Sequence, residues 1–66
     1  MDARKIADRL IALRGSKTQT EVAKAIGVSP SAYSMYESAE RIPRDEIKNR
    51  IAAFYKKSVS TIFYAD

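Results

Sequence analysis

Three residues, Gly27-Val28-Ser29, separate two stretches that each read as a helix, and this spacing restricts the fold more than any other feature of the chain. So short a turn forces the two helices to cross steeply instead of lying antiparallel. A steep crossing needs a small residue where the helices touch and a residue tolerant of positive φ at the corner. Ala23 and Gly27 stand at those positions. Val28 is placed to plug the gap beneath the turn, and Val22, Ile26, Tyr33 and Tyr36 offer the apolar side chains that tie the pair to a core. The outer face of the second helix of the pair is then left free.

The rest of the chain reads as short helices with little strand signal. Thr18-Gln19-Thr20-Glu21 has the form of a capping box, in which the threonine hydroxyl accepts from the N–H three residues on and the glutamate reaches back. The helix it opens runs to Ile26 and stops at Gly27. Ser29 followed by Pro30 is a cap and then a proline at the first helical position, which predicts a helix over about residues 30–38. Upstream, Ile6, Leu10 and Leu13 share one helix face, Asp2 is the cap, and Gly15 closes a helix over residues 3–14 with a left-handed residue. Pro43 interrupts the chain, and Arg44 or Asp45 opens a fourth helix with Ile47, Ile51, Phe54 and Tyr55 on its apolar face. A last short turn, Val59 to Tyr64, starts from Ser58 or Ser60 and offers Val59, Ile62 and Phe63. The expected fold is all-α: a compact bundle of five short helices, one domain over residues 1–66, with the two-helix motif at about 18–38.

Composition narrows the function. At 66 residues the chain holds one domain, and its core is small. It has no cysteine and no histidine, which removes disulfides, thiolate metal sites and the commonest general base together. No glycine-rich phosphate loop or carboxylate pair stands in their place. The expectation is a non-enzyme with no cofactor and no metal. No apolar run approaches the roughly 20 residues of a membrane helix. Asp8 and Arg9 interrupt the apolar residues of the first segment, so it reads as fold and not as a signal. A cytoplasmic protein is expected. Twelve basic against eight acidic residues give a net charge of +4, a weak pointer toward a polyanion.

The ordered run Gln19-x-x-Val22-Ala23-x-x-Ile26-Gly27-Val28-Ser29, continued by Ser31-x-Tyr33-Ser34-x-Tyr36-Glu37 and Arg41-x-Pro43, resembles the phage-repressor-like helix-turn-helix proteins of the Cro/C1 or XRE type. Ala53-Phe54-Tyr55 and Ser58-Val59-Ser60-x-Ile62-Phe63 look like that family's last two helices, so the resemblance covers most of the chain. It implies a lambda-repressor-like DNA-binding domain whose third helix enters the major groove of duplex DNA. Gln19 matches a position that commonly binds a DNA phosphate, which suits a helix N-terminus. Pro30, Ser31, Ser34 and Met35 match positions that face base edges. Glu37 matches an internal acid paired with an arginine of helix one, here Arg14. The family usually has glycine where this chain has Ala39, and often a basic residue where it has Glu40; the stretch from Arg14 to Gln19 is also shorter than usual.

The same residues have plainer readings. Gln19 can be a solvent-facing helix residue, Ser31 and Ser34 surface serines, and Met35 either a groove contact or a filler of core or dimer interface. Pro30 serves first to start its helix, and Tyr33 and Tyr36 are core residues whose hydroxyls can keep one wet end near a phosphate. Arg41 and Arg44 lie just past the third helix, where they either grip the DNA backbone or are solvated; Lys17 beside Gln19 is similar. With Thr18 and Ser29 at the two helix starts, these complete the expected DNA-contacting set. Lys56 and Lys57 read as solvated. No Gln, Asn or Arg occupies the base-facing positions, so shape and backbone contacts are expected to contribute more than bidentate base contacts.

One such domain reads few base pairs, so a homodimer on a palindromic operator is expected. Ile62, Phe63 and Tyr64, within a segment at 56–66, are the expected interface. A transcriptional repressor is the leading reading, with a protein antirepressor or other partner for its release, since 66 residues leave no room for the self-cleaving domain of larger phage repressors. The alternative is a protein-interaction helix-turn-helix module, such as an antitoxin or bridging factor.

Overall fold

Asp2 starts the first helix: its Oδ1 accepts from the N–H groups of Arg4 and Lys5 at 2.9 and 3.1 Å. In a computed structural model of the chain, which describes residues 1–65, α1 runs from Ala3 to Arg14, α2 from Gln19 to Ile26, α3 from Pro30 to Glu37 and α4 from Asp45 to Tyr55. A five-residue turn of the wide π type, α5, covers Ser60–Tyr64. The last residue of the expected 56–66 segment, Asp66, lies outside the described residues. No strand occurs among those residues.

The caps set most of these boundaries. Thr18 Oγ1 accepts from Glu21 N at 3.0 Å, while Glu21 makes no hydrogen bond back, so half of the capping box forms. Ser29 Oγ accepts from Ala32 N at 3.1 Å, with Pro30 at the first position of α3. Gly27 closes α2 with φ 78° and ψ 35°, and Val28 N donates back to the Ala23 carbonyl at 3.0 Å. That bond satisfies an end carbonyl and turns the chain directly into α3. Arg44, not Asp45, precedes α4, and it caps with no side-chain bond. Ser58, not Ser60, nucleates α5: its Oγ accepts from Thr61 N at 3.1 Å.

Two helices end on left-handed residues that are not glycine. Ala39 follows α3 with φ 65°, and Lys56 follows α4 with φ 57°. Behind each, a backbone N–H reaches back across the last turn: Glu40 N to the Met35 carbonyl and Lys57 N to the Ala52 carbonyl, both at 3.0 Å. The path after α3 is therefore the glycine-type closure, adopted by an alanine at a conformational cost of about 1–2 kcal/mol. Gly15 has φ 56° but ψ −125°, a glycine-favouring conformation outside the left-handed helical region.

Ile6 and Leu10 of α1, Val22, Ala23 and Ile26 of α2, Tyr33 and Tyr36 of α3, and Ile47, Ile51 and Ala52 of α4 make one buried cluster. Ile62 and Phe63 of α5 complete it. α1 packs on α3 and α5, and α2 packs on α3 and α4. Ala23 is fully buried, which lets α2 and α3 approach at the steep angle their short turn demands. Leu13, Phe54, Tyr55 and Val59 are half-buried at the margin.

Ile62 and Phe63, expected at a dimer interface, are each 1% exposed within the single chain. A core this small has no apolar side chains to spare, so the chain buries both against itself. Two cations hold α5 there. Arg9 donates through Nη1 to the Ile62 carbonyl at 2.8 Å and through Nη2 to the Ala65 carbonyl. Lys48, buried in α4, donates to the Tyr64 hydroxyl at 3.2 Å and to Asp45 at 3.3 Å. Burial disfavours the Lys48 charge, but those two oxygens outweigh it and the ammonium pKa is raised.

Candidate nucleic-acid interface

The interface begins with a buried carboxylate. Glu37, at the end of α3, is 5% exposed, and both of its oxygens are engaged. Arg14 Nε donates to Oε2 at 2.7 Å, and Gln19 Nε2 donates to Oε1 at 3.0 Å. Arg14 also donates through Nη1 to the Lys17 carbonyl at 2.7 Å. One carboxylate thus ties the end of α1, the loop before α2 and the start of α2 to the end of α3. Burial pushes the Glu37 pKa up, but the bonds from Arg14 and Gln19, with the Tyr33 hydroxyl acting in the same sense, outweigh it. The net position is below the ordinary carboxylate value, and Glu37 is held as an anion.

Beneath this group, the Tyr33 and Tyr55 hydroxyls lie 2.9 Å apart. Burial pushes both phenols above their ordinary pKa, and for Tyr33 the bond to Tyr55 adds to that rise. Tyr33 is fully buried and Tyr36 is 5% exposed, so neither ring lies at a wet surface. Both serve the core, meeting edge to face with centroids 6.2 Å apart.

Three surface groups rest on this frame. At the start of α2, Lys17 and Thr18 are exposed and Gln19 is half-buried. Gln19 spends one amide N–H on Glu37 and keeps the other, together with its carbonyl oxygen, for an outside partner. On α3, Ser29, Pro30 and Ser31 are exposed, while Ser34 and Met35 are half-buried. The leading corner of α3 is therefore its most open part, and Ser34 and Met35 form a shallower edge behind it. The Thr18 and Ser29 hydroxyl oxygens accept from their helix backbones, which leaves each hydroxyl proton free to be donated.

The third group is Arg41 and Arg44, both exposed, in the connection from α3 to α4. The Arg41 N–H donates to the Met35 carbonyl at 3.3 Å, so the end of α3 fixes where this connection starts. Both arginines line a cleft with Gly27, Val28 and Ala32, so the fold brings them beside the turn between α2 and α3. The Gln19–Glu37 bond brings the start of α2 to the end of α3 in the same way. Tyr64 lies elsewhere, 54% exposed on α5.

Some contacts that position these groups carry no signal in the sequence. The Gln19–Glu37 and Tyr33–Tyr55 pairings join residues 18 and 22 positions apart, through packing that no local pattern specifies. Arg50 closes α2 by donating to the Ile26 carbonyl at 3.4 Å while pairing with Glu46. A basic residue near a helix end is an ordinary partner for terminal carbonyls, but Arg50 belongs to a different helix.

Two packed helices joined by a three-residue turn, with the second helix's leading corner exposed, define a helix-turn-helix domain. Residues 9–62 match the helix-turn-helix family, and the chain belongs to it, in the Cro/C1 or XRE type of DNA-binding regulators. Its structure is similar to the solution structure of the SOS-response transcriptional repressor LexA from Eubacterium rectale. The TM-score is 0.90 at 25% identity, and the match covers 98% of this chain and 71% of that one. No curated protein sequence matches the chain.

Proposed function

We propose that the protein is a sequence-specific transcriptional repressor that binds a palindromic operator in duplex DNA as a homodimer, with α3 in the major groove. The observation that supports this most directly is the open leading corner of α3, Ser29-Pro30-Ser31, flanked by the start of α2 and by Arg41 and Arg44. Ser31 and Ser34 would contact base edges, and Met35 would press on a thymine methyl. Gln19 would donate its free N–H to a phosphate, and Lys17, Thr18, Ser29, Arg41 and Arg44 would hold the backbone on either side. The likeness to a transcriptional repressor supports lowered and not raised transcription.

Serines at the base-facing positions make weak individual discriminators, so specificity in this reading draws on DNA shape and on two-fold repetition. With Ile62 and Phe63 inside the core, the exposed part of the C-terminal segment, Tyr64 above all, is what remains there for a partner subunit. Hydroxyl-radical footprinting on a selected site tests the arrangement. Two protected patches separated by one helical turn support it, and a single patch with monomeric stoichiometry overturns the dimer. The serine-rich reading face also keeps the protein-interaction module open as a second reading. Absence of DNA binding at low salt would favour that module.

A further inference from the structure

Beside the turn between α2 and α3, a cleft of about 520 Å³ separates that turn from the connection into α4. Val28, Ala32, Ile42 and Ile47 give it apolar walls, and Ile42 is 37% exposed there. Gly27, Tyr36, three arginines and one acid line the rest. Arg50 and the acid, Glu46, pair with each other, so their charges offset. Arg41 and Arg44 make no ion pair and no side-chain hydrogen bond among the described residues. The cleft therefore sets two uncommitted guanidinium groups against an apolar wall, within the roughly 300–1,000 Å³ range of small-molecule sites.

Resting on the reading that Arg41 and Arg44 hold the DNA backbone, we propose that this cleft is an effector site for a small amphipathic anion, an aromatic or aliphatic acid that competes with DNA for those two arginines. The apolar body of the acid covers Val28, Ala32, Ile42 and Ile47. Its carboxylate, sulfonate or phosphate takes the two guanidinium groups, which suit planar and tetrahedral oxyanions alike. A hydrated inorganic anion would leave the apolar wall wet, so it binds more weakly than an acid with an apolar body. Occupancy removes two cations from the face offered to DNA and lowers its affinity for the backbone.

The probe is anilinonaphthalene sulfonate, titrated into the full chain and followed by methyl-resolved NMR. The expected shifts fall on Val28, Ala32, Ile42 and Ile47. R41Q and R44Q each weaken the binding by about tenfold, as loss of a charge-assisted bond does, without lowering the melting temperature. I42S also weakens it. Inorganic phosphate at the same concentration leaves those methyl groups unmoved. With a random duplex at low salt, the apparent Kd for DNA rises as the probe fills the cleft and levels off at saturation. A second, smaller groove of about 190 Å³ is lined by Ala12, Leu13, Thr61 and Ile62. Shifts that map there instead, or that persist undiminished in the R41Q/R44Q double variant, overturn the site. Equal shifts with inorganic phosphate overturn the amphipathic ligand, and DNA binding unmoved by saturating probe overturns the effector role. Failure of the chain to bind DNA at all would sink the repressor reading and the competition with it, while the NMR map would still decide whether the cleft takes an acid.

Discussion

Ala39→Gly is expected to stabilise the protein, although it removes a methyl group and adds chain entropy to the unfolded state. Ala39 sits at φ 65°, where an L side chain crowds its own backbone. Leaving that conformation to alanine costs about 1–2 kcal/mol. Replacing alanine by glycine returns about 0.4–1 kcal/mol to the unfolded state through its greater freedom. The difference is a net gain of up to about 1.6 kcal/mol, and about 0.8 kcal/mol at the midpoints. For a domain of this size that raises the melting temperature by roughly 2–8 °C. The backbone bond it protects, Glu40 N to the Met35 carbonyl, is present in both proteins, so far-ultraviolet circular dichroism at low temperature should be unchanged. Thermal melts of the two proteins at equal concentration provide the assay, with Ala39→Val as the opposite control, because a β-branched side chain is worse still at positive φ. A lower melting temperature for Ala39→Gly would refute the reasoning, since the strain assigned to the left-handed alanine would then be smaller than the entropy it opposes.

Gly27→Ala should destabilise by about 1 kcal/mol, read as a lower urea midpoint: strain of about 1–2 kcal/mol at positive φ, less the about 0.4–1 kcal/mol by which alanine restricts the unfolded chain. Its φ of 78° disfavours any side chain, and the new Cβ would meet Arg50 Nη1 at 3.2 Å, a lesser problem because that arginine can shift. Glu37→Gln should cost about 1–3 kcal/mol near neutral pH by leaving Arg14 without its anion; Arg14 is partly exposed, which limits the loss. Because the Glu37 pKa is lowered on folding, its contribution is fully present above its unfolded value near 4.5 and fades as pH falls through the folded value. The stability gap between wild type and Glu37→Gln should therefore narrow below pH 4.5, and a gap that widens there would contradict the ion-pair account. Replacing both Arg41 and Arg44 by glutamine should reduce the slope of log K against log salt by about 2, measured by fluorescence anisotropy on a duplex; an unchanged slope would place both outside the DNA contact.

Much of the fold was legible because local chemistry and packing agree. Asp2, Thr18 and Ser29 each cap the helix they precede, and Gly27 turns where the chain must. The apolar spacing of Ile6 and Leu10, and of Val22 and Ile26, picks out buried faces. Less legible was the fate of residues whose role depends on what covers them. Ile62 and Phe63 are apolar whether they meet their own core or a second copy, and only the assembled bundle shows that α5 packs on α1 and that both side chains are buried there. No local pattern marks Lys48 as buried, yet Tyr64 and Asp45 let it stay buried and charged. Neither Ala39 nor Lys56 shows positive φ by its own residue type, because the helix closures impose that conformation; at Ala39 the one hint is the glycine usual in the resembled family. At the candidate interface, the sequence pointed to Gln19 and to Glu37 separately. That one amide N–H of Gln19 bonds to Glu37, and so aims the other, follows only from the crossing of α2 and α3.

Selection from a random duplex library at two salt concentrations, followed by sequencing of the bound sites, tests the central claim most directly. The account predicts enrichment of a palindromic site with half-sites one helical turn apart, about 10–10.5 base pairs centre to centre, and affinity that falls steeply with salt. Failure to retain any duplex at the lower salt would contradict it.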